Sequence, residues 1–269
     1  MSPPRVRTAI DQVQVVIPAH DEEGLLPRCL ASVRRAADHL AEVRPGVRVG
    51  ITVVADCCTD RTVEIATGWP ATQVVVSRAG NVGAARRAGV DHVVRHTLST
   101  PPGLVWLAHT DADSVVPEHW LAAQLMLADA GFAMVVGTVV PARTDLPPHI
   151  WDQWRARHHL GEGHPHVHGA NLGLTLHASQ VAGGFQPAPA HEDVRLVAAV
   201  RSAGLPWCAT AATQVTTSGR QQGRVASGFA RYLARLSSPT TRVEVPGVRA
   251  LSRRCPVLAS ARSTPCGSE

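Results

Sequence analysis

Apolar residues arrive in two rhythms along the first half of the chain. Short runs dominated by valine, isoleucine and leucine occupy positions 13–17, 49–54, 72–76 and 104–107, with the length and composition of buried strands. Between them, segments 22–39, 60–67 and 82–95 space their apolar residues three and four apart, as a helix with one buried face requires. Continuous apolar strands separated by helices predict an α/β domain with a mainly parallel central sheet flanked by helices. Ligands of such sheets bind outside the carboxyl ends of the strands. Loops 18–23, 56–60, 77–83 and 109–113 are therefore expected along one rim.

The rhythm loosens in the second half. Segment 117–130 predicts a helix with Pro117 near its start, and 132–140 predicts another strand. A helix over 147–159 is followed by a loop rich in histidine and glycine to Gly169, and 171–176 reads as a returning strand. Segment 192–203 holds good helix formers, with Gly204 and Pro206 as a stop. The last predicted helix, 223–236, is amphipathic, with Val225, Phe229, Tyr232, Leu233 and Leu236 on its apolar side. From 237 onward serine, proline, threonine and arginine without periodicity predict a flexible tail.

Composition narrows the function classes. With 45% hydrophobic and 17% charged residues, the chain reads as an ordinary soluble globular protein. No stretch of eighteen apolar residues occurs, and the opening Met-Ser-Pro-Pro-Arg-Val-Arg carries no apolar signal segment, so a cytoplasmic protein without a membrane span is expected. The six cysteines show no Cys-x-x-Cys pairing, which predicts reduced thiols. All 26 basic residues are arginine. The absence of lysine excludes Schiff-base chemistry, pyridoxal phosphate attachment and a Walker A phosphate loop. The net charge of +5 suits an anionic ligand, but the basic residues are scattered and aromatics make up only 4%, so no nucleic-acid platform is indicated.

The candidate chemistry lies in the rim loops. The run Trp106 to Asp113 ends in two carboxylates, Asp111 and Asp113. On an extended chain they share one side; a turn at Ala112 would split their roles. Such a pair suits a hard divalent cation, Mn or Mg, that also takes phosphate oxygens. The competing reading is a surface turn in which Asp113 and Ser114 cap the next helix. Asp56 directly follows the second strand, where its carboxylate could accept N–H groups. Residues 77–86 pass from strand to helix through Gly80 and Gly83, which lets backbone N–H groups approach an anion beside Arg86; a plain tight turn explains the glycines as well. In His164-Pro165-His166-Val167-His168 the alternation gives a one-sided imidazole pair, while Asn171 is able to bond a ligand hydroxyl. Arg220 and Arg224 flank two glycines and form either a lid for a diphosphate or a solvated helix start.

Several blocks in order carry a resemblance. Val15 to Glu23, Val53 to Asp60, Asp111-Ala112-Asp113, Gly169 to Gly173, Gly184-Phe185 and His191 to Leu196 together resemble the family 2 glycosyltransferases of GT-A fold. The likeness runs from about residue 13 to 236. It implies one domain over 1–236, with a nucleotide-sugar half to about 115 and an acceptor half from 116. It also implies transfer of a hexosyl group from a nucleotide-diphosphate sugar to a hydroxyl acceptor, small or lipid-linked, with a divalent metal and inversion. Pro18, Ala19 and Glu22 would line the base and ribose, and Asp111 with Ala112 and Arg86 would complete the donor site. Asp113 is the better metal ligand, Asp111 facing the ribose or a metal-bound water. His166 would complete the metal shell, or His168 would join Asn171 in holding the acceptor. In Glu192-Asp193 the second acid is the implied catalytic base.

The chain also departs from the family pattern. Asp21 stands where many relatives have Asn, Ala55 where the first of two acids is usual, and Cys57-Cys58 where Gly-Ser is usual. The Gln-x-x-Arg-Trp block of processive members is absent. Two rivals are a sugar nucleotidyltransferase, which would need a glycine-rich basic loop where Pro18 to Gly24 supplies acids, and a noncatalytic sugar-nucleotide-binding protein.

Overall fold

The computed structural model describes residues 9–188, 190–221 and 228–236. The predicted tail, Val225 and the lid residue Arg224 lie outside the described residues. In the first half, strands β1 (Gln12–Ala19), β2 (Arg48–Asp56), β3 (Thr72–Ser77) and β4 (Val105–His109) pair in parallel in the order β3-β2-β1-β4. Helices α1 (Leu26–Val43), α2 (Thr62–Gly68) and α3 (Val82–His96) connect them. Helix α1 begins four residues later than the periodicity predicts. Pro27 stands in its first turn, the only helical position where a missing N–H costs nothing. Alternation along β1 sends Val13, Val15 and Ile17 into the layer shared with α1, and Val16 into the layer shared with α3.

The second half supplies β5 (Ser114–Val115), α4 (Trp120–Asp129), β6 (Met134–Pro141), α5 (Pro148–Arg157), β7 (Leu172–Thr175), α6 (Leu176–Val181), α7 (Glu192–Ser202), β8 (Trp207–Thr217) and α8 (Phe229–Leu236). The sheet continues from β4 through β7, β6, β8 and β5. β7 runs antiparallel to both β4 and β6, and β5 antiparallel to β8, while β6 and β8 are parallel. The sheet is thus mixed, with parallel pairing in the first half and antiparallel insertions in the second. The apolar pattern does not disclose β8, whose sequence WCATAATQVTT breaks its alternation with alanine and threonine. Neighbours on both sides make it a strand. The returning strand expected over 171–176 ends earlier, because the Thr175 side chain accepts the Ala178 N–H and starts α6.

Strands β1, β2, β3, β4, β6 and β8 all point the same way, so Ala19, Asp56, Ser77, His109, Pro141 and Thr217 open on a single rim. A small separate cluster of Ile150, Trp154, Leu233 and Leu236 joins α5 to α8.

Candidate active site

The chain turns between the two acids after β4: the Ser114 N–H donates to the Asp111 carbonyl at 3.0 Å, and Ala112 packs into the core. The two carboxylates then meet different cations. Asp111 Oδ1 lies 2.6 Å from Arg86 Nη2, and Asp113 Oδ2 lies 2.9 Å from Arg220 Nη2. Thr217 Oγ1 donates to the other oxygen of Asp113 at 3.1 Å. Burial raises both carboxyls above their ordinary range, against the pull of Arg86 on Asp111 and of Arg220 on Asp113.

Arg86 joins the two halves of the site. It is 2% exposed, and its Nε donates to Glu192 Oε1 at 3.2 Å while Nη2 holds Asp111. Burial disfavours its charge, but Asp111, Glu192 and Asp193 outweigh it and raise its pKa. Burial likewise raises the Glu192 carboxyl, opposed by Arg86. A Cβ at Gly169 would stand 2.4 Å from Arg86 Nη2, so the guanidinium has room only because residue 169 is glycine. The Gly169 N–H in turn donates to Asp193 Oδ2 at 2.7 Å, and the Val194 N–H to Asp193 Oδ1 at 2.8 Å. His191, directly before the acid pair, adopts φ 60, a left-handed conformation that is uncommon outside glycine and gathers at functional sites.

Arg220 binds more than Asp113. Its Nη2 and Nη1 donate to Glu22 Oε1 and Oε2 at 2.8 and 3.1 Å, tying the loop after β8 to the loop after β1. Burial opposes this charge too, and Glu22 and Asp113 raise its pKa nonetheless. Glu22 is itself anchored, its N–H donating to Thr62 Oγ1 at 2.7 Å. Asp56 at the end of β2 accepts the Ala79 and Asn81 N–H groups at 2.8 and 2.9 Å. Burial works against ionisation of Asp56, yet hydrogen bonds from Ser77, Asn81, Ala79 and Gly80 hold its carboxyl below the usual range. Asp21 and Cys57 have φ 51 and φ 54. The left-handed region favours glycine, then asparagine and aspartate, which accounts for glycine as the usual residue at position 57 and for the tolerance of Asp21 in place of Asn.

A cavity of about 320 Å³ opens among these groups. Arg86, Asp111, Asp113, Glu192, Asp193 and Arg220 line it with charged groups, and His158, His166, His168, Phe229 and Tyr232 contribute aromatic rings. Pro18, Ala19, Glu22, Asp56 and Ala112 do not line it; they lie along the rim or behind the acids. Asn171 requires a correction. It is 1% exposed, its Nδ2 donates to the Thr138 carbonyl at 2.8 Å and to the Thr213 carbonyl, and its Oδ1 accepts the Trp120 indole N–H at 2.9 Å. The amide is consumed in joining β6, β8 and α4, and no acceptor reaches it.

Asp111 and Asp113 present hard carboxylate oxygens at the cavity, a donor set that fits a hard divalent cation. His166 does not complete it. Among the described residues the candidate three-ligand group is Asp21, Cys58 and Asp60, and its oxygens accept backbone N–H groups of Thr59, Thr62 and Glu23. His166 instead sits among rings, where burial and the nearby His158 and His164 lower its pKa to about 4. Burial and His166 lower that of His168 to about 3. Thr217, His158 and the link from Glu22 to Arg220 were not among the expected site features. Only the loop composition around 218–224 signalled this region.

The family model described as glycosyl transferase family 2 matches residues 14–175. No curated protein matches the sequence. Among solved structures, that of S. aureus TarS 1-349 is similar with a TM-score of 0.55 at 12% identity, covering 78% of this chain and 61% of that one. The mannosyltransferase PcManGT from Pyrobaculum calidifontis, in complex with GDP-Man and Mn2+, is similar with a TM-score of 0.59 at 19% identity, covering 81% of this chain and 60% of that one. The chain thus spans about three fifths of the length of these structures. At such identities the likeness is one of fold.

Proposed function

From the premise that the chain belongs to glycosyl transferase family 2 and has the GT-A fold, we propose that it transfers a hexosyl group from a nucleotide-diphosphate sugar to a hydroxyl acceptor with inversion. The observation that carries this reading is the convergence on one cavity of Asp111, Asp113 and Asp193, which come from the ends of β4 and α7. Asp193 is held by the Gly169 and Val194 N–H groups and would take the acceptor proton as its oxygen attacks the anomeric carbon. Glu192 is committed to Arg86 and positions the helix that presents Asp193. The guanidinium of Arg220 stands beside Asp113, placed to bind the leaving diphosphate and stabilise its growing charge.

A divalent cation, Mn or Mg, would be held by Asp113 with Asp111 and would supply Lewis-acid stabilisation of the diphosphate. The donor nucleoside would lie along the rim formed by Pro18, Ala19, Glu22 and Asp56, outside the acid-lined cavity. The acceptor is a small or lipid-linked alcohol. The four described cysteines form no disulfide with one another, and no described helix is long and apolar enough to cross a membrane; the compartment proposed is the reducing cytoplasm. Calorimetry with UDP-sugars and GDP-sugars, with and without manganese, tests the reading. Binding of one donor, strengthened by manganese and lost in Asp113→Ala, is expected. No nucleotide binding under any of these conditions overturns it.

A further inference from the structure

Five rings close on themselves in one wall of the cavity. Centroid separations are 4.9 Å from His158 to His166, 6.2 Å from His166 to His168 and 6.0 Å from His168 to Phe229. The circuit closes through 6.4 Å from Phe229 to Tyr232 and 5.5 Å from Tyr232 back to His158. Helices α5 and α8 pack through Trp154 and Leu233; His158 directly follows α5, α8 carries Phe229 and Tyr232, and the loop before β7 carries the other two. All five rings line the same cavity as Asp193, the proposed base.

The chemistry of the wall narrows the ligand. The five rings themselves carry no carboxylate or guanidinium. Burial keeps the imidazoles uncharged, so the rings offer contact surface to an apolar moiety and no charge of their own to a phosphate or carboxylate. We propose that the ring wall is the acceptor subsite and that it selects an uncharged acceptor with an apolar or aromatic moiety packed against these rings. The inference rests on the transferase reading for the word acceptor, but the ring preference is measurable without turnover.

Saturation-transfer NMR and calorimetry on the full chain, with UDP or GDP present, compare phenyl β-glucoside, methyl β-glucoside and phenyl phosphate. Phenyl glucoside is expected to bind about tenfold more tightly than methyl glucoside, the scale of one good ring contact, with phenyl phosphate the weakest. Phe229→Leu, which keeps volume without a ring, and His166→Ala should each remove most of that advantage and leave nucleotide affinity unchanged. Phe229→Tyr should restore it. Equal affinity for the two glucosides, tightest binding of phenyl phosphate, or a preference that survives Phe229→Leu overturns the inference. Failure of any nucleotide to bind overturns the transferase reading instead, and the ring preference is then read from the glucosides alone.

Discussion

The two walls of the cavity are built on opposite principles. On the acid wall, charges pair: Asp111 and Glu192 with Arg86, and Asp113 with Arg220. On the ring wall, positions are set by stacked and edge-on rings. Charge pairing in a buried site is unforgiving, since removing one member strands the others. Ring packing is graded, since each ring contributes only part of the contact surface. Under the proposed function, the difference means that the donor chemistry is preorganised by electrostatics while acceptor choice is left to shape.

Perturbations of the acid wall should therefore act most strongly. Asp193→Asn removes the proposed base while keeping an acceptor for the Gly169 N–H. Transfer should fall by about 10²–10⁴-fold with nucleotide affinity unchanged by calorimetry; a fully active variant would refute the base. Arg86→Met leaves Asp111 and Glu192 without their shared cation, and urea unfolding should show a loss of about 3–5 kcal/mol. A loss no larger than that of a ring substitution would erase the contrast between the walls.

Asp56 tests whether the rim belongs with the acid wall. Its carboxyl is depressed in the folded state, so its contribution to stability is present above the ordinary carboxylate range, near pH 4, and is lost as pH falls through the folded value. Urea midpoints from pH 7 to pH 3 should fall for the wild type. Asp56→Asn should start about 1–3 kcal/mol lower and fall less steeply; parallel curves would show that Asp56 carries none of the acid dependence. The smallest effect is expected at Cys57, whose φ 54 favours glycine. Cys57→Gly should gain about 0.5–1 kcal/mol in thermal or urea unfolding, and destabilisation would mean that the Cys57 side chain holds the rim.

Much of the first half was legible in the sequence because its information is local. The apolar runs marked four strands to within two residues, and the rim rule placed Asp56, Asp111 and Asp113 at the carboxyl ends where the structure has them. Asn171 was misread because its neighbours, glycine and alanine, resemble a substrate loop. Only the tertiary contacts with Trp120, Thr138 and Thr213 show its amide already spent. Phe229 and Tyr232 read as the core face of an amphipathic helix, and periodicity does not distinguish a face packed on protein from one that lines a cavity.

The sequence by itself determined the alternation of strands and helices, the order of the rim loops and the residue types offered there, since side-chain period and chain order follow from covalent geometry. Which charge meets which was decided only in the tertiary structure. Arg220 reaches Glu22 across 198 residues and Thr217 reaches Asp113 across 104, because β8 adds to the sheet beside β6 and β5 through pairing that no local pattern encodes. The ring wall likewise exists only where α5 and α8 pack together. Burial, which sets the protonation of its imidazoles, belongs to the folded molecule and not to any segment of it.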